Sequence, residues 1–374
     1  MGKRELVLIV AFFVAGVVVY QVTAPPPPPG TDVSVGGIFQ RIRRQMQGAR
    51  ETYSGPSRQT IPVAPAAALV RISLPRMSEL TITGADRDDV AIEMTTSSRG
   101  YTQADAKAAA DAATIKSDWN GDTLALTGTW EDHRGPAGYV TQAAITILVP
   151  RRLAISLLPH LGPLTVSNVA RLECESSRGD TQITGVAGDI QLSHTNGALE
   201  ITGGAALKLT SRNSRGTVAK IAGPLTLNAT SGRLKFSDLG GTAEIDARNA
   251  NLTFETIAAL KAPFRYTGVG GELRVRGLRT ESRIEGRNTD LDVELGAAAP
   301  VTIYNVGDIT VTAPPGGFTL DAVAQEGTIT VEESGITPSD GPDVHAAGKV
   351  RGGGPVLTLR ATRGHIEVRK VAEK

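Results

Sequence analysis

The stretch from residue 271 to residue 311 reads GELRVRGLRTESRIEGRNTDLDVELGAAAPVTIYNVGDITV and contains one five-residue pattern three times. The copies occupy 271–275, 289–293 and 307–311, so each begins 18 residues after the one before it. Each copy opens with glycine or threonine and then alternates polar and aliphatic side chains. Alternation with a period of two is typical of a β-strand with one buried and one exposed face. The stretch therefore predicts short strands that recur at a fixed interval.

The same pattern extends through most of the second half of the chain. A second short aliphatic run lies between many of the copies, as at 190–192, 207–209, 225–227 and 301–303. The copies start 18, 19, 16, 18, 21, 18, 18, 20 and 37 residues apart, which gives a period of roughly 19 residues, with two periods in the last interval. The ten copies are 179–183, 197–201, 216–220, 232–236, 250–254, 271–275, 289–293, 307–311, 327–331 and 364–368.

Two short strands in one repeat cannot bury their own apolar face. Stacking each repeat on the next one buries that face, which is the principle of a β-solenoid. We therefore predict an all-β fold, a β-solenoid or β-helix-like array of two-strand repeats of roughly 19 residues. Its glycines would lie at corners that need positive φ or close approach of the backbone. An up-and-down sheet or a β-sandwich also has short regular strands, and these alternatives stay open.

The apolar segment near the amino terminus predicts a membrane anchor. Lys3 and Arg4 precede an uncharged run from Leu6 to Ala24, which as a helix would be about 28 Å long, close to the hydrocarbon thickness of a bilayer. A cleaved signal peptide ending at Ala24 is the alternative, although Pro25 makes a poor cleavage site. The two early basic residues favour an amino terminus in the cytoplasm and a carboxy-terminal domain outside it.

The rest of the chain divides into a linker and two β-rich parts. Residues 25–62 are predicted as a proline-rich linker that begins with a polyproline II spacer and contains a basic segment, 36–50, which is either an amphipathic helix or a solvated linker. Residues 63–165 depart from the period and are predicted to cap the array, with a helical stretch from Thr102 to Ala113. The repeats then fill residues 166–374, and the irregular tail after Gly335 is a second capping segment.

Composition limits the classes of partner and of chemistry. The chain has 39 basic and 38 acidic side chains and a net charge of +1, so binding of nucleic acid is not expected without a local basic patch. Cys174 is the one cysteine, so the chain forms no internal disulfide, and we predict that this thiol packs as a small apolar residue. The five histidines, at 133, 160, 194, 345 and 365, lack metal-ligand spacing and are predicted to be solvated turn or edge residues. We predict no cofactor and no metal.

A polysaccharide-acting β-helix enzyme is the strongest catalytic alternative. Adjacent strands of a stack lie about 4.8 Å apart, so Asp290 and Asp308 are expected to be neighbours that could act as a general acid–base pair. Glu131, Asp132 and His133 form a second small cluster. The other repeats carry threonine, arginine or alanine at these places, which favours a solubilising surface, so we predict that the chain is not an enzyme. The outward carboxylates are predicted at Asp180, Glu200, Glu272, Asp290, Asp292, Asp308 and Glu367.

The chain resembles the bacterial putative-adhesin family, a family of otherwise unknown function. The resemblance rests on Thr81-Ile-Thr-Gly-Ala-Asp-Arg-Asp-Asp-Val90, on Ile147-Leu-Val-Pro150 and on the ten repeat copies, and it covers about residues 63–374. It implies a β-solenoid-like domain behind an amino-terminal membrane segment, and it brings no catalytic residues. The expected function is a membrane-anchored envelope protein that binds or scaffolds an envelope protein or a glycan. Self-assembly through open strand edges is the non-enzymatic alternative.

Overall fold

The computed structural model describes residues 51–75, 78–130 and 138–371. This part of the chain holds one continuous sheet of 25 strands and one α-helix, so the all-β prediction is confirmed. The helix, α1 (Gln103–Ala112), begins at a capping box in which Thr102 and Asp105 bond reciprocally, as the helical stretch in the sequence predicts.

The strands, in chain order, are β1 (Glu51–Pro62), β2 (Leu69–Ser73), β3 (Ser78–Ala85), β4 (Asp89–Gly100), β5 (Ile115–Asn120), β6 (Thr123–Gly128), β7 (Gly138–Pro150), β8 (Ala154–Leu161), β9 (Leu164–Ser167), β10 (Arg171–Ser177), β11 (Thr181–Thr184), β12 (Asp189–Gly204), β13 (Ala206–Ile221), β14 (Leu225–Leu239), β15 (Ala243–Glu255), β16 (Phe264–Leu278), β17 (Ser282–Arg287), β18 (Asp290–Leu295), β19 (Val301–Val306), β20 (Ile309–Thr312), β21 (Phe318–Gln325), β22 (Ile329–Val331), β23 (Asp343–Val350), β24 (Val356–Thr362) and β25 (Ile366–Arg369).

The centre of the sheet is a parallel stack in which each passage of the chain, here called a rung, pairs with the next. Leu207 lies beside Leu225, and Leu225 lies beside Ala243, so each residue faces its counterpart on the following rung. A rung has a first strand and a second strand that meet at a corner. In β12 to β16 both parts belong to one long strand, whereas β10 and β11, or β17 and β18, are separate strands.

Aliphatic and aromatic side chains form continuous rows inside the stack. On the second strands, Val218 lies beside Phe236, which lies beside Phe254, and all three are fully buried. The rings of Phe236 and Phe254 stack with centroids 4.7 Å apart. Full burial of each such side chain contributes about 1.5–3 kcal/mol, so the alternating pattern of the sequence supplies the core.

The corner between the two strands explains the glycine of the repeat. The residue before the glycine position has a left-handed backbone on successive rungs, with φ of 58° at Asn196, 55° at Asn213 and 60° at Ser231. Asparagine adopts this conformation more readily than most residues. The next residue lies against the rung below, because a Cβ at Gly232 would be 2.1 Å from the carbonyl oxygen of Ser214. The glycines at 232 and 271 are therefore required by close approach of the backbone, whereas Ser214 and Ala250 occupy the same corner on the rungs below them.

One of the ten predicted copies is out of register. Val218 pairs with Ile201 on one side and with Phe236 on the other. The copy thus begins at Ser214, two residues before the glycine at 216 that the sequence pattern selected. The alignment was wrong here because serine replaces glycine at the corner of this rung.

The amino-terminal end of the stack is closed by antiparallel strands. β2 and β3 pair with β8 and β9 on one side and with β6 and β7 on the other, so the first rung is an inner one. β4 then pairs antiparallel with β7, β1 with β4, and β5 with β6. Residues 51–62, the end of the predicted linker, form β1 of this end.

The carboxy-terminal end has the same arrangement in reverse. β24 and β25 pair with β19 and β20 on one side and with β21 and β22 on the other. The last copy in the sequence, 364–368, therefore lies between copies 307–311 and 327–331. β23 pairs antiparallel with β21 and covers part of the outer rung. The sequence alone suggested sequential order because all three copies have the same pattern.

The prediction that all histidines are solvated is wrong for two of them. His160 and His194 are 2% and 0% exposed and point into the stack near the corner. The Nε2–H of His194 donates to the carbonyl oxygen of Gly179 (3.3 Å), and its Nδ1 lies 2.7 Å from Oγ of Ser214. Burial lowers the pKa of both imidazoles. Polar partners inside the corner make this burial tolerable, and the sequence pattern did not indicate them.

The membrane anchor predicted over residues 1–24 lies outside the described residues, as do most of the predicted linker and the cluster at 131–133. Among residues 51–75, 78–130 and 138–371, no helix has the length and apolar character needed to cross a bilayer.

The non-sequential order of the last rungs predicts a specific cross-link. Thr310 pairs with Glu367, which pairs with Thr330. Neighbouring rungs lie about 4.8 Å apart, within the Cα separation of a disulfide, whereas two rungs separate Cα atoms by about 10 Å. Thr310→Cys with Glu367→Cys should therefore oxidise to a disulfide, read as a mobility shift on non-reducing gels. Thr310→Cys with Thr330→Cys is the matched control, and its faster oxidation would contradict the order.

The buried histidines predict a loss of stability in mild acid. The unfolded chain takes up protons near pH 6.5, whereas the folded chain resists protonation, so the free energy of unfolding should fall below about pH 6.5 until the lower folded pKa is reached. Each unit by which burial lowers a pKa corresponds to about 1.4 kcal/mol. The thermal midpoint of the full-length chain should drop between pH 7.5 and 5.5.

His194→Asn should reduce this dependence because an amide does not titrate, and the contribution of His160 should remain. His345→Asn, at an exposed histidine, is the control and should leave the drop in place. An equal drop in His194→Asn and in the unchanged chain would show that this imidazole is not its source.

Candidate functional site

The parallel register gives the stack two outer faces on which side chains form rows. The first face consists of the outward side chains of the first strands, and the second face consists of those of the second strands. In β13 the first face carries Lys208, Thr210 and Arg212, and the second face carries Arg215, Thr217 and Ala219.

Two of the predicted outward carboxylates cap the backbone of the next rung. Asp180 Oδ1 accepts a hydrogen bond from the N–H of Ala198 at 2.9 Å, and Asp308 Oδ1 accepts one from the N–H of His365 at 2.7 Å. The aspartate of this Gly-Asp opening therefore has a structural role, because it accepts the backbone donor of the adjoining rung. At Gly179 the glycine also allows close approach, since a Cβ there would lie 2.1 Å from the backbone of Gly162.

The second face carries a network of ion pairs. Arg274 contacts Glu272 at 2.5 Å and Asp292 at 3.4 Å, and Arg276 makes a bidentate contact with Asp292 and lies 3.8 Å from Glu294. The hydrogen bond from Arg276 lowers the pKa of Asp292, and the same bond raises the pKa of the guanidinium. The charges of this part of the face are therefore satisfied locally.

The predicted acid–base pair lies in this region. Glu272 pairs with Asp290, and the pairing of Leu291 with Ile309 places Asp308 in the same row, one rung beyond Asp290. The predicted proximity of Asp290 and Asp308 therefore agrees with the register, but Asp308 is engaged by the N–H of His365.

The pKa values of nearby carboxylates are shifted in the direction opposite to that of a general acid. A general acid of this class has a raised pKa. The hydrogen bond from Arg369 lowers the pKa of Glu367, just as Arg276 lowers that of Asp292. The remaining predicted carboxylate, Glu200, accepts a long hydrogen bond of 3.4 Å from Gln182.

Other nucleophiles and metal ligands do not converge. Cys174 is buried, as predicted, and burial raises the pKa of its thiol to about 12. Among the residues that the structure describes, no three His, Cys, Asp or Glu side chains come together in a way that could hold a metal ion. His345 Nε2 lies 3.3 Å from Asp321, whose pKa is lowered first by Arg360 and then by His345.

The first face presents arginines that sequence reasoning missed. Arg212 pairs with Thr230, Thr230 with Arg248, Arg248 with Val269, and Val269 with Arg287. The three guanidinium groups thus lie in one row on alternate rungs, and we call this row, with the two residues between them, the arginine row. The signal in the sequence was the dipeptide Arg-Asn, which occurs at 212–213, 248–249 and 287–288. In each case arginine directly precedes the corner residue.

A groove of about 450 Å³ lies beside the arginine row. Its floor contains small inward residues, Ala229, Ala247 and Gly268. Its walls carry polar groups from three successive rungs and one exposed apolar side chain, and these are Asn228, Thr230, Asp246, Arg248, Thr267 and Val269. Hydroxyl, amide, carboxylate and guanidinium groups therefore face solvent together along two neighbouring rows of the sheet.

Comparison with known proteins identifies similar structures but no family. No protein-family model matches this chain, and no curated protein matches it. A putative cell adhesion protein from Clostridium sporogenes is similar, with 14% identity and a TM-score of 0.17, over 85% of this chain and 100% of that one. Putative adhesins from Parabacteroides distasonis (11% identity, TM-score 0.33) and Parabacteroides merdae (10%, 0.25) are similar over 85% of this chain and 97% and 96% of their own. At these values the likeness carries no argument about function.

Proposed function

We propose that this chain is a β-solenoid that binds an extended partner of the cell envelope on its first face and catalyses nothing. The observation that carries the proposal is the groove beside the arginine row, where polar groups from successive rungs line up over a rigid, in-register sheet. A rigid scaffold holds such groups in place before the partner arrives, which lowers the entropic cost of binding. An extended partner fits because the polar groups repeat along the stack.

The chemistry of the second face supports a non-catalytic role. Its arginines neutralise Asp292 and Glu367 and lower their pKa values, so these carboxylates remain ionised. Asp180 and Asp308 are engaged by backbone donors. A polysaccharide-cleaving enzyme is therefore the weaker alternative.

Anchoring to a membrane is part of the proposal and rests on the sequence. The uncharged run from Leu6 to Ala24 has the length of a bilayer-spanning helix, and Lys3 and Arg4 favour an amino terminus in the cytoplasm. With this orientation the stack lies outside the cytoplasm, in the periplasm or at the cell surface, where envelope partners are present.

Self-assembly is less favoured, because both ends carry features that blunt a strand edge. β1 contains Pro56, which has no backbone donor. β23 presents exposed Asp343 and Lys349, and charged residues at an edge oppose pairing between molecules.

Binding without turnover is the first prediction. The purified full-length chain, in detergent, should co-sediment in a saturable manner with the insoluble envelope fraction of its cells. It should release neither reducing ends nor unsaturated sugars from that fraction over many hours. Saturable release of either product would overturn the non-catalytic assignment, and absence of co-sedimentation would overturn the binding role.

Accessibility to protease tests the location. A tag after residue 374 should be cleaved when the outer barrier of intact cells is opened, while the chain remains in the membrane fraction. A cytoplasmic protein in the same cells serves as the control and should stay intact. Protection of the tag until the inner membrane is lysed would place the stack in the cytoplasm.

A further inference from the structure

The spacing of the arginine row restricts the chemistry of the partner. Arg212, Arg248 and Arg287 are separated by two rungs each. Because neighbouring strands lie about 4.8 Å apart, the charges recur at about 10 Å along the stack. The threonine and the valine on the intervening rungs carry no charge, so the row alternates cationic and neutral positions.

These arginines have no partner within the described chain. Arg212, Arg248 and Arg287 are exposed, and their guanidinium groups make no hydrogen bond or ion pair with the residues that the structure describes. Asp246 lies two residues before Arg248 but forms no ion pair with it. Across the corner, the exposed Arg215 and Arg233 lie side by side on neighbouring rungs. They add positive charge to the same edge.

The second face provides an internal contrast. There Arg274, Arg276 and Arg369 each contact a carboxylate. These second-face arginines are neutralised, as Arg283 is by Glu285 on the first face, whereas the arginine row is left as a regular set of cations although the net charge of the chain is only +1. A regular set of unneutralised cations fits an anionic ligand.

Of the two positions between the cations, Thr230 can hydrogen-bond with a neutral polar group, whereas Val269 offers an apolar surface, and further polar groups lie in the neighbouring row. Asn228, Thr230 and Thr267 line the groove beside Arg248, and the small residues of the floor give a ligand room to sit low on the sheet. Amide and hydroxyl groups are suitable partners for sugar hydroxyls, since each donates and accepts.

We propose that the arginine row binds a linear acidic glycan in which every second sugar carries a carboxylate. The acidic sugars would lie over Arg212, Arg248 and Arg287, and the neutral sugars would lie between them over Thr230 and Val269. This assignment rests on the proposed function and names its partner. The glycan would run along the stacking direction of the rungs, across the strands.

Nucleic acid fits the row less well. Each strand of a duplex carries a phosphate about every 3.4 Å, which is denser than the arginines. Single strands are held by exposed aromatic platforms. The aromatic side chain exposed on the adjoining rung is Tyr304, and the guanidinium of Arg283 lies over its ring, 5.4 Å from the centroid. One face of this ring is therefore already occupied and is not open for a base to stack on.

Hyaluronate tests the proposal because it carries one carboxylate for every two sugars. Binding of fluorescent hyaluronate oligosaccharides to the full-length chain in detergent should be saturable and should weaken with added salt. Carboxyl-reduced hyaluronate, which has the same backbone without charge, should not bind. This comparison uses the unaltered protein, so folding of a variant does not affect it. Equal binding of both polymers would overturn the proposal.

Substitutions locate the site on the protein. Arg212→Gln, Arg248→Gln and Arg287→Gln together should weaken binding about tenfold, as expected for the loss of three exposed ion pairs. Arg71→Gln, Arg171→Gln and Arg279→Gln form the matched control, since these arginines are also exposed and removing them changes the net charge equally. Equal weakening in both triple variants would mean that net charge alone attracts the polymer.

A rearranged row tests the spacing. Thr230→Arg with Arg248→Gln keeps the charge and the row but changes the intervals from two and two rungs to one and three. Binding of hyaluronate should fall, with thermal unfolding confirming an intact fold. Unchanged binding would contradict the match in spacing.

Other polyanions and the envelope fraction complete the test. Stronger binding of a single-stranded oligothymidylate, or of vesicles with anionic lipid, would replace the glycan by nucleic acid or membrane. If the envelope fraction binds but hyaluronate does not, the proposed function stands and the acidic glycan is wrong. If neither binds, both are wrong.

Discussion

In-register hydrogen bonding between parallel rungs is the constraint on which the other features depend. Once Leu207 pairs with Leu225, every residue of β13 has a fixed neighbour on β14. A left-handed residue must then stack on another left-handed residue, as Asn213 does on Asn196, where their amides also bond at 3.1 Å. The same constraint turns single side chains into rows. The aliphatic core, the corner and both outer faces are consequences of this one pairing.

A parallel stack leaves unpaired backbone groups at its two ends, and the chain closes both by the same means. At the amino-terminal end, β2 and β3 lie inside the stack and are covered by the later strands β6 and β7. At the carboxy-terminal end, β24 and β25 lie inside the stack and are covered by the earlier strands β21 and β22. The outer rungs are then paired with antiparallel strands, β4 at one end and β23 at the other. Antiparallel strands can carry proline or charge without interrupting the rows within the stack. The regular part of the chain is thereby separated from exposed edges.

Local periodicity was sufficient to predict the strands, but it could not specify which strands are neighbours. The alternation of polar and aliphatic residues identifies buried positions such as Val293 and Val311, because burial depends on the strand itself. The exchange of copies 327–331 and 364–368 changes no local pattern, so the sequence of each gives no sign of it. His160 and His194 look like polar turn residues, yet both are buried, and Gly179 and Ser214 supply the partners of His194 from neighbouring rungs. The arginine row was overlooked for the same reason, since its residues are distant in the chain.

The two faces show how a nearly neutral chain can still carry a directed charge. Where an acid and arginines lie on neighbouring rungs their charges pair with each other, as Asp292 does with Arg274 and Arg276. A row that alternates arginine with threonine and valine cannot pair its charges in this way, because no carboxylate of its own rungs pairs with it. Its charges stay in water, where they cost little to leave unpaired, and they stay in register because the backbone holds them. The unit of recognition on such a surface is therefore the row, whose period is set by the rung, and a ligand is selected by how well its own repeat matches that period.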